Sequence, residues 1–128
     1  NLSKSPLFQL ILSGTPQIND SLSDESLQIV KDKILHRISL GPLKRQEVQA
    51  YIDHRLALSG GNPPTLPSQK AGDYLFRFSG GVPRIINLII YRLLLLGTQE
   101  KKHELAFIDF HKVIHELKNE GLLPHIKS

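Results

Sequence analysis

The sequence predicts a mostly α fold: two short strands, the end of an α/β layer, followed by an all-helical bundle. Three observations carry this expectation. Before Gly41, two short apolar runs are bounded by glycine and proline, "LFQLILS" and "HRISL". After Gly41, apolar residues recur at three- and four-residue spacing instead. Glycine pairs at Gly60–Gly61 and Gly80–Gly81 then divide that second part into helices. The organisation expected is 1–40 for the end of the α/β layer and 41–128 for the helical bundle.

Taken in order, Leu7 to Ser13 has the length and flanking residues of a buried strand in a parallel sheet. "TPQINDSLSDESLQIVKDKI" turns helical, with Thr15 as a cap and Pro16 at the first helical position. His36 to Leu40 reads as the second strand, closed by Gly41 and Pro42. Val48, Tyr51, Ile52 and Leu56 form the stripe of the next helix, which Gly60 and Gly61 end. "NPPTLP" is a loop, and Ser68 can cap a helix with the stripe Ala71, Tyr74, Leu75 and Phe78. Gly80 and Gly81 stop it, and Pro83 suits the first turn of the helix after it. That helix is apolar almost all round, so it is expected at the centre, covered by others. A last helix follows Asp109, with Phe110, Val113, Ile114 and Leu117 on one face, and "GLLPHIKS" reads as a frayed end.

The 128 residues suffice for one domain of ordinary size, and 40% hydrophobic content supports a core. A formal charge of +4 and a pI near 9.5 permit an anionic partner without demanding one. Cysteine is absent, which excludes disulfides and thiolate metal sites. The apolar run around Leu93 is interrupted by Asn87 and Arg92, and is short of the roughly 20 apolar residues that span a bilayer. Methionine is absent too, and the chain opens mid-phrase at Asn1, so a piece of a longer protein is expected.

Three places could carry chemistry. In "ILSGTP", Ser13 and Thr15 stand at the carboxyl edge of a strand, where open α/β folds bind ligands; Thr15 as a plain helix cap is the alternative. In "ILHRISL", Arg37 is either a surface residue with its stem on the core or a cation aimed at a phosphate on a neighbouring molecule. In "SGGVPRIINL", Arg84 stands at the amino end of a rigid helix, where unsatisfied N–H groups and the dipole favour anions. A cation there costs the helix a few tenths of a kcal/mol to about 1 kcal/mol, which points to a function such as phosphate binding. The alternative is an ion pair with Asp73. His111 and His115 are four apart, but their helix holds no third ligand at metalloprotease spacing, so no metal site is assigned. The sequence contains no G-x-x-x-x-G-K-[ST] phosphate loop.

The order "LFQLILSGTPQI", "ILHRISLGPLKRQEVQAYIDHRL", "FRFSGGVPRIINLIIYRLLL" resembles the second half of AAA+ ATPases of the general secretion pathway protein A type. Relatives of that type include the MSHA pilus-biogenesis ATPases and the transposition ATPases of the TniB and TnsC kind. The resemblance covers nearly the whole chain, and "SGGVPRIINL" is its most specific piece. It implies that 1–40 is the carboxyl-terminal part of the AAA+ core and 41–128 the helical lid. It gives Thr15, with Ser13 as the nearby alternative, the place of sensor 1 beside the γ-phosphate. It gives Arg37 the place of the arginine finger and Arg84 that of the sensor 2 arginine. Such proteins usually carry Gln where Thr15 stands, and Ser or Thr where Lys44 stands.

The resemblance further implies a parent protein that binds ATP and Mg²⁺ and couples hydrolysis to assembly of a secretion or pilus machine. Its Walker A and B segments would precede Asn1, so this chain alone is expected neither to bind ATP tightly nor to hydrolyse it. Implied partners are neighbouring subunits of a homo-oligomer, the amino-terminal core of the same chain and a membrane-associated secretion or pilus protein. The implied location is cytoplasmic, with a membrane anchor elsewhere in the parent. Two rival readings stand: a transposition-type ATPase with a basic surface on DNA, and a non-enzymatic helical interaction module in which Arg84 only pairs with a carboxylate.

Overall fold

The computed structural model describes residues 9–67 and 70–123. The chain divides into two compact units, the first running to Ser39 and the second starting at Leu40.

The first unit holds two single-turn helices, α1 (Ile18–Ser21) and α2 (Gln28–Lys31), separated by a 3₁₀ turn at Glu25–Leu27. The longer helix expected after Pro16 is broken, and the reason is local. Ser23 Oγ donates to the Asn19 carbonyl at 2.8 Å, and Asp24 accepts from the Ser26 N–H at 2.8 Å. Such side chains compete with the backbone for its own partners, so "NDSLSDES" favours turns over a continuous ladder. Thr15 forms no side-chain cap; Gln17 is the residue before α1, and the Thr15 carbonyl accepts from the Ile18 N–H at 2.9 Å.

Neither expected strand forms among the described residues, although Leu7 and Phe8 lie outside them. A strand exists only against a ladder partner, and 9–13 and 36–40 have none there. Their apolar side chains are open to solvent: Ile11 is 89% exposed, Ile38 85% and Leu40 93%. The mostly helical architecture expected of the chain is nonetheless the one observed.

The second unit is the helical bundle: α3 (Arg45–Ser59), α4 (Ala71–Ser79), α5 (Pro83–Gln99) and α6 (Phe107–Asn119). Its core joins Val48 and Ile52 of α3, Ala71 and Leu75 of α4, Ile86, Ile89, Ile90 and Leu93 of α5, and Phe110, Val113, Ile114 and Leu117 of α6. Fully burying a side chain such as Leu75 or Phe110 contributes about 1.5–3 kcal/mol. No helix is long and apolar enough to cross a membrane among the described residues.

Several details depart from the expected pattern. Lys44 offers α3 no acceptor, but Glu47 Oε2 reaches back to the Lys44 N–H at 2.7 Å and caps the helix from inside. Ser68 lies outside the described residues, and the residue before α4 is Lys70. α5 is not covered all round, since Tyr91 is 63% exposed. α6 starts before Asp109, whose buried carboxylate accepts from the Ala106 N–H at 2.8 Å and caps from the third helical position. The chain is not frayed through Leu123: the Leu122 N–H returns to the Leu117 carbonyl at 3.0 Å, and Leu123 packs into the core.

The loop between α5 and α6 is fastened twice. Thr65 accepts from the Leu105 N–H and donates to the His103 carbonyl, both at 2.9 Å, forming a single parallel bridge. Lys102 joins Glu100 (2.7 Å) and Asp109, and Lys112 also reaches Glu100 (2.8 Å). Hydrogen bonds from Lys102 and Lys112 hold the Glu100 carboxyl down at about 2, against an ordinary 4.5. For Asp109, burial pushes upward, but the bonds from Lys102 and Ala106 outweigh it and leave the carboxyl lowered.

Both shifts are depressions, so their stabilisation is complete above the ordinary carboxylate range and is lost as pH falls toward the folded-state values. The thermal midpoint of the chain is expected to drop as pH falls from about 4.5 to about 2. Glu100→Gln should lower the midpoint at neutral pH and flatten that dependence, as read by circular dichroism melts across the range.

Candidate functional site

The stretch "SGGVPR" forms a tight corner between α4 and α5. Gly80 adopts the left-handed conformation (φ 60°, ψ 20°) and its N–H caps α4 on the Phe76 carbonyl at 2.9 Å. Gly81 follows with φ 77°. Its N–H is held at 3.1 Å by the hydroxyl of Ser79, which is fully buried. Its carbonyl accepts from the Leu43 N–H at 2.8 Å. The backbones are so close that a Cβ at Gly81 would strike the Leu43 carbonyl oxygen. Glycine is therefore required here twice, for its dihedral and for its missing side chain.

This contact fixes the beginning of α5 against the segment that leads into α3. Val82 gives α5 no side-chain cap, and Pro83 at its first position has no N–H to satisfy. Arg84, the second residue of α5, is exposed. No hydrogen bond or ion pair engages its guanidinium among the described residues. The carboxylate that the sequence offered as its partner is taken: Asp73 pairs with Arg45 at 2.9 Å. An exposed cation thus stands at the N-terminus of α5, which has no side-chain cap, and Lys44, also exposed, follows the Leu43 that Gly81 holds. Together these features suit an anion with several oxygens, such as a phosphate group.

Two further ties hold α5, and both use residues that looked like interruptions in an apolar run. Asn87 accepts from the Tyr51 hydroxyl of α3 at 3.0 Å. Arg92 pairs with Glu120 just beyond α6 at 2.6 Å. Neither partner could be read from local spacing, since each lies 28 or more residues away.

Ser13, Thr15 and Arg37 belong to the first unit, and all three are exposed. No hydrogen bond or ion pair joins their side chains among the described residues. Two shallow clefts occur in the second unit. One, of about 250 Å³, is lined by Arg92, Leu95, Glu100 and Lys112, and the other, of about 290 Å³, by Gln49, Asp53, Pro64 and Leu66. Neither includes Arg84. No three His, Asp or Glu residues gather as a metal site among the described residues.

Over 118 residues the chain is 34% identical to "General secretion pathway protein A" of Aeromonas hydrophila. The chain is related to a general secretion pathway protein. The match takes in 90% of this chain and 21% of that protein, so the chain spans about a fifth of the curated relative's length. No family model matches the chain. No solved structure matches it.

Gly81→Ala is expected to cost about 3 kcal/mol or more, through backbone clash and left-handed strain together. Gly60→Ala has the same sign of φ (66°) but open space around it, and should cost about 1–2 kcal/mol. Urea unfolding of the two variants beside the parent chain measures the difference.

Proposed function

We propose that the chain is the carboxyl-terminal part of an AAA+ ATPase of the general secretion pathway protein A type. In this reading, residues to about Leu40 end the nucleotide-binding core, and those from Gly41 onward form its lid. The observation that carries the proposal is the exposed guanidinium of Arg84, without a partner among the described residues, at a helix N-terminus fixed by the Gly81–Leu43 contact. The relationship to a secretion-pathway protein supports the class of machine.

Arg84 would act as the sensor 2 arginine, donating to the phosphate oxygens of ATP. Phosphoryl transfer is catalysed by positioning and by countering charge on those oxygens, which a planar, permanently charged group does well. Because Arg84 is rigidly tied to the lid, contact with the nucleotide would couple the lid's position to nucleotide state. Arg37, exposed in the first unit, would reach the nucleotide of a neighbouring subunit as an arginine finger. Thr15, or Ser13 beside it, would supply the polar contact of sensor 1. Binding of the triphosphate and of Mg²⁺ would fall to Walker segments elsewhere in the parent, since this sequence holds no G-x-x-x-x-G-K-[ST] loop. The parent would work in the cytoplasm as a homo-oligomer, driving a membrane-associated secretion or pilus assembly.

The test is ATP turnover by the full parent protein, with Arg84→Ala and Arg37→Ala beside wild type. Loss of a charge-assisted contact at Arg84 should slow turnover about tenfold to a hundredfold. Loss of the finger at Arg37 should slow it about a thousandfold or more. This chain by itself should turn over nothing. Unchanged turnover in both variants would overturn the assignment and leave the second unit a helical interaction module.

A further inference from the structure

A second surface of the bundle combines cations with apolar and aromatic groups, and the nucleotide reading makes no use of it. α4 and α6 meet through Tyr74, whose hydroxyl shares a hydrogen bond with His111 Nδ1 at 3.0 Å. Its ring is enclosed by Phe78 (4.9 Å), Phe110 (5.5 Å) and Phe107 (6.0 Å between centroids). Two exposed cations flank Phe78: the Arg77 guanidinium at 5.7 Å and the Lys118 ammonium at 5.0 Å from the ring centre. At the other end of this row of rings, at the start of α6, Phe107 is 36% exposed and Ile108 69%.

Two of the three carboxylates of these two helices are engaged elsewhere: Asp73 pairs with Arg45 and Asp109 is buried on Lys102. Glu116 has no ion pair among the described residues but lines the cleft on the Lys112 side of α6. Glu120, just past α6, pairs with Arg92. Neither Arg77 nor Lys118 has an ion-pair partner among the described residues. The face therefore carries two cations without an ion-pair partner, linked to Phe107 through the rings of Phe78 and Tyr74.

We propose that this α4–α6 face docks an acidic polypeptide segment whose carboxylates meet Arg77 and Lys118 and whose apolar side chains cover Phe107 and Ile108. Charge complementarity selects the acidic partner, and the two exposed apolar residues select a segment that is amphipathic as well. Single-stranded nucleic acid fits less well. Bases need open ring faces to stack on, whereas Tyr74 is surrounded by other rings and Phe78 is covered by its two cations.

The test is fluorescence anisotropy of labelled peptides titrated with the whole 128-residue chain. The probes are a peptide alternating glutamate with leucine, the same peptide with lysine for glutamate, and oligothymidine. The glutamate peptide should bind saturably and the lysine peptide should not. Arg77→Gln combined with Lys118→Gln should weaken binding about three- to tenfold. Ile108→Ser should weaken it as well, and Arg55→Gln, an exposed cation on α3, should not. These residues are exposed, and unchanged circular dichroism melts will show that the variants fold. Absence of peptide binding, or equal loss with Arg55→Gln, overturns the proposal. Preferential binding of oligothymidine that the double variant abolishes also overturns it, in favour of a nucleic-acid surface.

Discussion

The hydrogen bond from the Leu43 N–H to the Gly81 carbonyl is the constraint on which the second unit depends. It joins two segments that are far apart in sequence and sets where both α3 and α5 begin. It can form only because Gly81 has no side chain, with a backbone dihedral that other residues adopt at a cost. The buried Ser79 hydroxyl holds the Gly81 N–H, so the corner is satisfied on its other side too. A buried backbone turn with its polar groups paired is stiff, because any displacement leaves a donor or acceptor without water.

From that corner the rest follows. α5 leaves it with Pro83 in a position proline favours, buries Ile86, Ile89, Ile90 and Leu93, and is fixed in rotation by Asn87 on Tyr51 and Arg92 on Glu120. Arg84 is then left pointing to solvent, with Asp73 committed to Arg45. The loop after α5 is locked separately, by the Thr65–Leu105 bridge and the charges around Glu100. The Gly81 corner thus serves both stability and the candidate site, whereas the locks on the loop after α5 serve stability alone.

Much of the bundle was legible in the sequence. The stripes Val48–Ile52, Ala71–Leu75 and Phe110–Leu117 are core in the structure because helical spacing and burial impose the same pattern. The glycine pair at 80–81 was legible as a stop, but not as a contact with Leu43, since a backbone-to-backbone approach leaves no mark on Leu43. Asn87 and Arg92 looked like breaks in an apolar helix and are its ties; their partners are distant and carry no spacing signal. The helix expected after Asp109 starts two residues before it, at Phe107, because a carboxylate can cap from the third helical position as well as from before the first. The two strands were read from apolar runs, yet a strand is a property of a pair, and no ladder partner occurs among the described residues. At the candidate site, the position of Arg84 was legible; that Asp73 is unavailable to it was not, because Arg45 competes from another helix.

The measurement that bears most directly on this account is amide hydrogen exchange at Leu43 in the intact chain. If the Leu43 N–H is locked on Gly81, it should exchange about as slowly as the core amides of α5, such as Ile89, and lose that protection in Gly81→Ala. Exchange of the Leu43 amide at the rate of an open peptide, while Ile89 stays protected, would contradict the account. The beginning of α5, and Arg84 with it, would then not be fixed.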